Sequence, residues 1–288
     1  MTRGLLVAAL AIQAAAGAAF DSARAWEHLR QMVAIGPRPA GSAALEQTRT
    51  YIKAQLAASG LRAVEQAWDQ QTPIDSVKMV NLSVTIPGAR KDRIVIAGHY
   101  DTKLYREFRF VGASDGASSA AFLLEMARVL KTRKNALTVE LLFLDGEEAR
   151  LPEWNGTDNT YGSRHYVAAA KADGSLATLK AMILVDMIAD RRLTIRRDTN
   201  STVWLTDIVW GAAKKIGQSA FMAETTRVED DHLPFLVEGV PSVDIIDLDY
   251  PQWHTAADSL DAVSARSLQA VGDTLIAALP QIESHLQK

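Results

Sequence analysis

Four short apolar runs, each ending in acidic or histidine side chains, constrain the fold of this chain most strongly. The runs are rich in Leu, Ile and Val, and they lie at 92–98, 138–144, 181–185 and 242–248. Continuous apolar strands of this kind predict a sheet that is covered on both faces, which is typical of parallel strands. Asp244 interrupts the last run, and the alternating segment 81–86 is expected to form an edge strand.

Helix-like patterns lie between these runs, with apolar residues at the spacing of one helix face. They predict helices over 44–59, 116–130, 163–172, 203–216 and 264–285. Gly60 suits the position just after the first of them, and Trp204 and Trp210 on the fourth are expected to pack in the core. Strands that alternate with helices predict an α/β fold, here a three-layer single domain with a mostly parallel, mixed central β-sheet flanked by helices.

The composition excludes several functional classes. The chain has 288 residues, a formal net charge of −3, 48% hydrophobic residues and no cysteine. A balanced charge argues against a nucleic-acid partner, since domains that bind nucleic acid are usually basic. Without cysteine there can be no disulfide, no thiol nucleophile and no thiolate metal site. Any bound metal ion must therefore be held by His, Asp or Glu.

The N-terminus has the pattern of a secretory signal peptide. Arg3 precedes an uncharged run, 4–20, that is rich in Ala and Leu and ends in small residues. We expect a signal peptide over 1–19 with cleavage near Ala18 or Ala19, followed by one catalytic domain over 20–288. The protein would then be periplasmic or secreted, with no stable membrane span after cleavage. The alternative is an apolar segment that is retained as a membrane anchor.

Titratable side chains follow every apolar run, where ligands bind in parallel α/β sheets. They are His99 and Asp101, Glu147 and Glu148, Asp186, and His254, and a further carboxylate, Asp115, opens a helix. Crowded carboxylates would repel one another and resist ionisation, and a divalent cation would remove that cost. Imidazole and carboxylate together suit zinc. The pattern therefore predicts a metal site at this edge of the sheet.

Each of these residues also has a purely structural interpretation. Asp115, next to Gly116, could cap the helix that follows, and a single histidine at a strand end is usually hydrogen-bonded within the protein. Adjacent glutamates are usually solvated. Asp186 is harder to explain in this way, because burying an unpaired carboxylate is costly. It is the convergence of all of them on predicted strand and helix junctions that favours a site.

The same residues resemble those of the co-catalytic zinc aminopeptidase family. That resemblance rests on HYD (99–101), SDG (114–116), DGEE (145–148), Asp186, WHT (253–255) and an N-terminal GPRPAGS (36–42). Within the superfamily, longer segments resemble animal-type glutaminyl-peptide cyclotransferases, or glutaminyl cyclases. These segments are HYDTK (99–103), FVGASDGAS (110–118), LDGEEA (144–149), YGSRH (161–165), EDDHLPFL (229–236), GVP (239–241) and DYPQWHT (249–255). The animal enzymes carry a disulfide, which this chain cannot form.

The resemblance implies a metal centre at the sheet edge. Its single catalytic zinc ion would be held by Asp115, Glu148 and His254. His99 and Asp101 would surround that site and orient it, or would help to hold a second metal ion. One zinc ion is thus expected, and a two-zinc centre is the alternative.

The resemblance also implies roles for three further acids. Glu147 would be the general acid/base, and Gly146 before it would allow the chain to bend sharply there. Asp186 and Asp230 would form a hydrogen-bonded acidic pair beside the reacting amide. We expect Asp231 to cap the helix that follows while Asp230 faces the site.

Aromatic side chains complete the implied site. Trp154 and Trp253 would line the substrate pocket, and Tyr250 would take a wall position that is Phe in the animal relatives. The chain has one extra residue between Glu148 and Trp154 and one fewer between Pro251 and Trp253 than those relatives have. The neighbouring Arg164 and His165 are interpreted as structural, holding the loop after Trp154.

The activity implied by the resemblance is cyclisation of an N-terminal glutamine to pyroglutamate, with release of ammonia. The partners would be peptides or proteins that begin with glutamine. Two other functions stay open at this point. An exported two-zinc aminopeptidase would use the same residues with a bridging water, and a non-enzymatic binding or receptor domain would use the same fold without chemistry.

Overall fold

A six-stranded mixed β-sheet lies at the centre of the residues that this computed structural model describes, 18–287. The described strands are β1 (Val64–Gln71), β2 (Ser76–Ile86), β3 (Arg90–His99), β4 (Leu137–Leu144), β5 (Leu179–Asp186), β6 (Ile195–Asp198), β7 (Phe221–Thr226) and β8 (Ser242–Ile246). The strand order in the sheet is β1-β2-β4-β3-β5-β8, and β6 pairs with β7 separately. Apart from Ala18 and Ala19, the predicted signal peptide lies outside the described residues.

The four apolar runs form the parallel part of the sheet. β4, β3, β5 and β8 are parallel neighbours, whereas β1 and β2 are antiparallel to each other and β2 is antiparallel to β4. The prediction of a mostly parallel mixed sheet is therefore confirmed. Segment 81–86 is not an edge strand, because β2 lies between β1 and β4. The edge strand on this side of the sheet is β1, whose polar, half-exposed sequence gave no strand signal, and β8 is the edge strand on the other side.

Helices cover both faces of the sheet. In chain order they are α1 (Ser22–Ile35), α2 (Ala43–Ala58), α3 (Ala117–Thr132), α4 (Tyr161–Ala172), α5 (Val203–Lys215), α6 (His232–Val237) and α7 (Ala265–Leu286). Alternate residues of β3 point to opposite faces: Ile94 and Ile96 join a large core with α1, α3 and α7. Val95 and Ala97 join a smaller core with α4 and α6. The predicted three-layer α/β fold is confirmed, and burial on both faces explains the continuous apolar runs.

Local signals explain several helix ends. At the end of α2, the N–H of Leu61 donates to the carbonyl of Leu56, and the N–H of Gly60 donates to that of Ala57. This pattern is a Schellman cap, and Gly60 takes the positive φ of +67° that the cap requires. α7 begins after Ser264, whose side chain accepts the N–H of Arg266.

The two tryptophans of α5 occupy different environments. Trp210 is buried in the large core and donates its indole N–H to the Met222 carbonyl at 2.6 Å. Trp204 is only partly buried and stacks on His285, with 4.1 Å between the ring centroids. Among residues 18–287, no helix is both long enough and apolar enough to span a membrane.

Candidate active site

The candidate site lies where the parallel strands end. His99 is the last residue of β3 and Asp186 is the last residue of β5. Glu147 and Glu148 follow β4, and the remaining members come from the loops before α3 and after β8. The structure brings together nearly all of the carboxylates and imidazoles that the sequence placed there: His99, Asp115, Glu147, Glu148, Asp186, Asp230 and His254.

Asp115, Glu148 and His254 form a group that suits one metal ion. The Nε2 atom of His254 lies 3.3 Å from Glu148 Oε1 and 3.4 Å from Asp115 Oδ2. Two ligands of a tetrahedral zinc ion, each about 2.1 Å from the metal, would be about 3.4 Å apart. Asp115 Oδ2 and Glu148 Oε2 are also buried with no hydrogen-bond partner. Buried acceptors without a donor are costly, and a cation would satisfy both.

A second group shares Asp115 and adds His99 and Asp186. The Nε2 atom of His99 lies 3.2 Å from Asp115 Oδ1 and 3.0 Å from Asp186 Oδ1. These contacts are close to hydrogen-bond distances, and Asp186 also accepts the N–H of Met187 at 2.8 Å. His99 and Asp186 of the second group are therefore paired within the protein, whereas Asp115 Oδ2 and Glu148 Oε2 of the first group have no hydrogen-bond partner.

The surrounding acids raise the pKa values of both histidines when no metal ion is bound. Burial disfavours a charged imidazole, but contacts with Asp115 and Glu148 outweigh it and raise the pKa of His254 to about 10. For His99, the charges of Asp186 and Glu147 likewise overcome burial and raise its pKa well above the ordinary value. With no metal ion bound, the His254 ring is therefore positively charged at neutral pH, and a metal ion that binds its Nε2 atom must displace a proton.

Two glycines shape the loops that carry the acids. At Gly116 (φ +85°), an added Cβ would lie 2.3 Å from the carbonyl oxygen of Asp101. Gly116, not Asp115, is the N-cap of α3, and no side chain caps this helix. The capping interpretation of Asp115 is therefore wrong. At Gly146 (φ +68°), a Cβ would lie 2.6 Å from Met79 Sδ, so the bend before Glu147 requires glycine.

Asp101 holds the loop after β4 and belongs to neither metal-binding group. Its Oδ1 accepts the N–H of Glu147 at 3.3 Å, and its Oδ2 accepts the N–H of Glu148 at 3.4 Å. Oδ1 also lies 3.4 Å from Nδ1 of His99. These contacts make Asp101 a residue that orients the site, and they do not place it as a ligand of a second metal ion.

The loop before α3 depends on Asp258, which sequence reasoning missed. This buried carboxylate accepts the N–H groups of Ser114 at 2.8 Å and Asp115 at 3.1 Å. It also accepts the Tyr250 hydroxyl at 2.7 Å. Tyr250 is only 3% exposed and does not line the cavity, contrary to expectation. Its hydroxyl needs a buried partner, so the ring packs behind the loop that carries Asp115.

Arg38, from the GPRPAGS segment, holds the loop before α3 in place through hydrogen bonds to backbone carbonyls. Its fully buried guanidinium donates to the carbonyls of Gly36 at 3.0 Å, Val111 at 2.8 Å and Gly112 at 3.2 Å. Burial lowers the pKa of Arg38 to about 10, which leaves it charged at neutral pH. Arg38 of the N-terminal motif therefore stabilises the loop that carries Asp115 and does not itself line the cavity.

Glu147 lines the cavity, and the pKa of its carboxyl group is raised. Burial raises the pKa of its carboxyl group well above the ordinary value, and the charges of Glu148, Asp230 and Asp186 add to this, while His99 opposes it. Its Oε2 lies 3.7 Å from Nδ1 of His99. A carboxylate with a raised pKa accepts a proton more readily than an ordinary glutamate does, which suits a general acid/base.

Asp186 and Asp230 both line the cavity, but no hydrogen bond joins them among the described contacts. Asp230 Oδ1 instead accepts the N–H of Asp231 at 2.5 Å, and Asp230 Oδ2 is buried without a partner. Burial, followed by the charges of Asp186 and Asp231, raises the pKa of Asp230 well above its ordinary value. The charge of Asp186 thus affects the pKa of Asp230. The two carboxylates do not form the expected hydrogen-bonded pair, because each accepts a backbone N–H instead.

Asp231 stands at the N-cap of α6 but does not cap it. Its side chain accepts the hydroxyl of Ser163 at 2.5 Å, which ties α6 to α4. Arg164 of α4 donates to the carbonyls of Thr157 and Asn159, at 2.6 and 2.7 Å, and so holds the loop after Trp154 as expected. His165 does not contact that loop through hydrogen bonds; it stacks on Trp68 of β1, with ring centroids 4.1 Å apart.

The cavity between these residues has a volume of about 310 Å³. Trp154 and Trp253 form part of its wall, together with Asp115, Glu147, Asp186 and Asp230. Trp253 is 46% exposed, and its ring lies 4.6 Å from that of His254. Tyr105 and Phe110 approach the same imidazole at 6.0 and 5.9 Å, contacts that the sequence did not reveal.

Backbone strain is concentrated around this cavity. Among residues 18–287, three residues other than glycine have left-handed φ values: Thr160 at +45°, Met187 at +47° and His254 at +54°. His254 belongs to the first metal-binding group, Met187 follows Asp186, and the N–H of Thr160 donates to the Glu147 carbonyl at 2.8 Å. Such conformations cost about 1–3 kcal/mol each and persist at functional sites where the surroundings enforce them.

Comparison with known proteins agrees with this geometry. Residues 81–279 match peptidase family M28. A glutaminyl-peptide cyclotransferase-like protein of Bos taurus is 30% identical over 272 residues, which cover 83% of this chain and 70% of that protein. A glutaminyl-peptide cyclotransferase of Drosophila melanogaster is 28% identical over 82% of this chain and 75% of its own length.

Among solved structures, the Acidobacteriales bacterium glutaminyl cyclase is 39% identical to this chain. The alignment has a TM-score of 0.90 and covers 96% of this chain and all of that one. The family match runs from within β2 into α7 and includes the strand-end loops of the site. The chain therefore belongs to peptidase family M28, in its glutaminyl cyclase branch.

Proposed function

We propose that this protein is a glutaminyl-peptide cyclotransferase that converts the N-terminal glutamine of peptides to pyroglutamate. The observation that carries the proposal is that Asp115, Glu148 and His254, a group able to hold one metal ion, line the same cavity as Glu147. The cavity has a volume of about 310 Å³, and two carboxylate oxygens of this group have no hydrogen-bond partner. The cyclase relatives support the same activity. The substrate's own α-amine is the nucleophile, so the chemistry needs one electrophilic centre and one proton carrier.

Zinc fits the first group, and we propose that one ion binds there. The donors are two carboxylates and one imidazole, and their spacing matches a tetrahedral ion with an open fourth position. Asp115, Glu148 and His254 would hold it. When bound, zinc would supply a Lewis acid for the oxygen of the substrate's γ-carboxamide.

Glu147 would move the protons of the reaction. It takes a proton from the attacking α-amine as the nitrogen–carbon bond of the lactam forms. It then returns a proton to the γ-nitrogen as the old carbon–nitrogen bond breaks and ammonia leaves. No water is consumed. The raised pKa of Glu147 suits this double role, because it makes the carboxylate a stronger base than that of an ordinary glutamate.

Asp186 and Asp230 would position the leaving nitrogen. Asp230 Oδ2 is a buried acceptor without a partner in the cavity wall, so it can receive an N–H of the carboxamide. Asp186 is fixed by His99 and by the N–H of Met187. Trp154 and Trp253 would exclude water from the cavity, since water would compete with the α-amine for the carbonyl carbon.

The second candidate function is a two-zinc aminopeptidase. The observation that favours it is the second group, His99, Asp115 and Asp186, which could hold another ion. A leucine aminopeptidase precursor from Bacteroides thetaiotaomicron shares the fold, at 25% identity and a TM-score of 0.84. Against it, the polar atoms of His99 and Asp186 are already paired with one another and with backbone.

We propose also that residues 1–19 direct export and that 20–288 form one catalytic domain. The protein would then meet its peptide substrates in the periplasm or outside the cell. Fusing residues 1–25 to a reporter that is active only after export tests this directly. Reporter activity is expected, together with an N-terminus near residue 19 or 20 in the secreted product.

A dipeptide assay separates the two enzymatic functions. Zinc-loaded protein should release ammonia from Gln-Ala amide and leave its peptide bond intact, because the γ-amide is the bond that is broken. Coupled detection of ammonia, with chromatography of the product, measures both outcomes. Release of free glutamine without ammonia would identify an aminopeptidase instead, and release of neither would support a non-enzymatic domain.

A further inference from the structure

A second groove begins at the mouth of the proposed catalytic cavity and leads away from it. Cavity and groove share Trp154, Glu229 and Asp230 as walls. The groove has a volume of about 640 Å³ and runs between α4 and α6. The near end of the groove is therefore adjacent to the catalytic cavity, on the side of Trp154.

Part of the groove lining is apolar. The apolar residues along it are Val167, Ala168, Leu233, Pro234 and Val237. Val237 is 82% exposed, the largest value among the exposed large hydrophobic residues of the described chain. Exposed apolar residues that line a groove mark a binding surface more often than do isolated ones.

The two basic side chains that line the groove already have partners. Lys171 Nζ lies 2.7 Å from Glu238 Oε2 at the far end. Arg164 donates to two backbone carbonyls of the loop after Trp154. An acidic peptide side chain would therefore gain little from these bases, and Glu229 and Asp230 at the near end would repel it, so the groove favours apolar over acidic side chains.

The length of the groove sets the number of residues it can hold. Arg164 and Lys171 line it from one face of α4. A helical rise of about 1.5 Å per residue separates them by about 10 Å. An extended peptide advances about 3.3 Å per residue, so the groove accommodates about three residues.

We infer that this groove binds the third to fifth residues of the peptide substrate and selects apolar side chains there. The inference rests on the proposed function and adds a preference for longer, apolar N-terminal segments. The glutamine and the second residue would occupy the catalytic cavity and its mouth beside Trp154. The groove would raise kcat/KM without touching the reacting atoms.

Three substrates test the inference: Gln-Ala amide, and pentapeptide amides that continue Gln-Ala with Leu-Val-Leu or with Asp-Ser-Asp. For the unaltered protein, kcat/KM for the Leu-Val-Leu peptide should exceed that for the dipeptide about tenfold. Burial of one or two aliphatic side chains provides that factor. The Asp-Ser-Asp peptide should show no such gain.

Val237→Asp is the test variant and Val203→Asp its matched control. Val203 is 71% exposed on α5 and does not line the groove, so both changes place an acid on a solvent-facing helix residue. Val237→Asp should reduce the ratio of pentapeptide to dipeptide kcat/KM toward one, and Val203→Asp should leave that ratio near ten. Equal ratios in the two variants, or a ratio near one in the unaltered protein, would overturn the inference.

A binding measurement separates failure of the groove from failure of the proposed activity. If Gln-Ala amide yields no ammonia, the proposed activity is wrong, and the groove is then judged by fluorescence anisotropy of a dye-labelled Leu-Val-Leu pentapeptide. Weaker binding to Val237→Asp than to Val203→Asp would still support a peptide groove, and equal binding would contradict it. If Val237→Asp only dissociates a dimer in sedimentation, the groove is an interface between copies and the inference is wrong.

Discussion

Glu147→Gln is expected to lower kcat for cyclisation of Gln-Ala amide by about 10²–10⁴-fold, the range typical of a lost general acid/base. Glutamine has nearly the same shape as glutamate but cannot exchange the proton, so KM should change little. The zinc content should also stay the same, because Glu147 belongs to neither metal-binding group. Steady-state ammonia release, together with metal analysis of the same sample, measures all three quantities.

Glu224→Gln is the matched control for this change. Glu224 is an exposed residue of β7, distant in the chain from every candidate ligand, and the same substitution there should leave kcat within about twofold. A Glu147→Gln protein that kept its full kcat while remaining folded would remove the proposed proton carrier from the mechanism. A loss of zinc in that variant would instead indicate that Glu147 is a ligand.

His254→Ala is expected to have the second large effect, on both metal binding and rate. It removes one of three proposed ligands and leaves Asp115 and Glu148 facing each other without a cation. A Lewis acid contributes several kcal/mol to a rate, so kcat/KM should fall by about 10³-fold or more. Zinc per chain after dialysis, measured by elemental mass spectrometry, should fall well below one.

His285→Ala provides the comparison for that experiment. His285 is exposed near the end of α7 and stacks on Trp204, away from the cavity. Its replacement should preserve zinc content and rate. Should His254→Ala still bind one zinc ion per chain and turn over normally, the ligand assignment would be wrong.

The sheet and the position of the site were predictable because both depend on local patterns. Strands buried on both faces must be apolar throughout, so β3, β4, β5 and β8 could be recognised from sequence alone. Parallel strands place their carboxyl ends at one edge, which brings His99 and Asp186 together. β1 escaped prediction because a half-exposed edge strand needs few apolar residues, and its neighbour β2 was then wrongly placed at the edge.

The hydrogen-bond partners within the site were much less predictable. Asp258 and Tyr250 lie close together in sequence, but nothing local indicates that Asp258 receives the N–H groups of Ser114 and Asp115 from a distant loop. Once that carboxylate is buried, the Tyr250 hydroxyl is a natural partner for it, and this draws the ring away from the cavity.

The acidic residues near α6 show the same limitation. Asp230 was expected to bond Asp186, yet the nearby backbone N–H of Asp231 is the closer donor. Asp231 was expected to cap α6, but Ser163 from α4 takes its carboxylate. Side chains of this kind choose among several donors that only the tertiary structure brings within reach. Residue type and spacing can locate such a site in the sequence. Its hydrogen bonds depend on contacts between segments that are distant in the chain.

We expect one zinc ion, held by Asp115, Glu148 and His254, to be sufficient for cyclisation. Metal-free protein is titrated with zinc, and ammonia release from Gln-Ala amide is measured at each step. Activity should rise linearly and reach its plateau at one zinc ion per chain. A plateau only at two zinc ions, or full zinc binding without ammonia release, would contradict it.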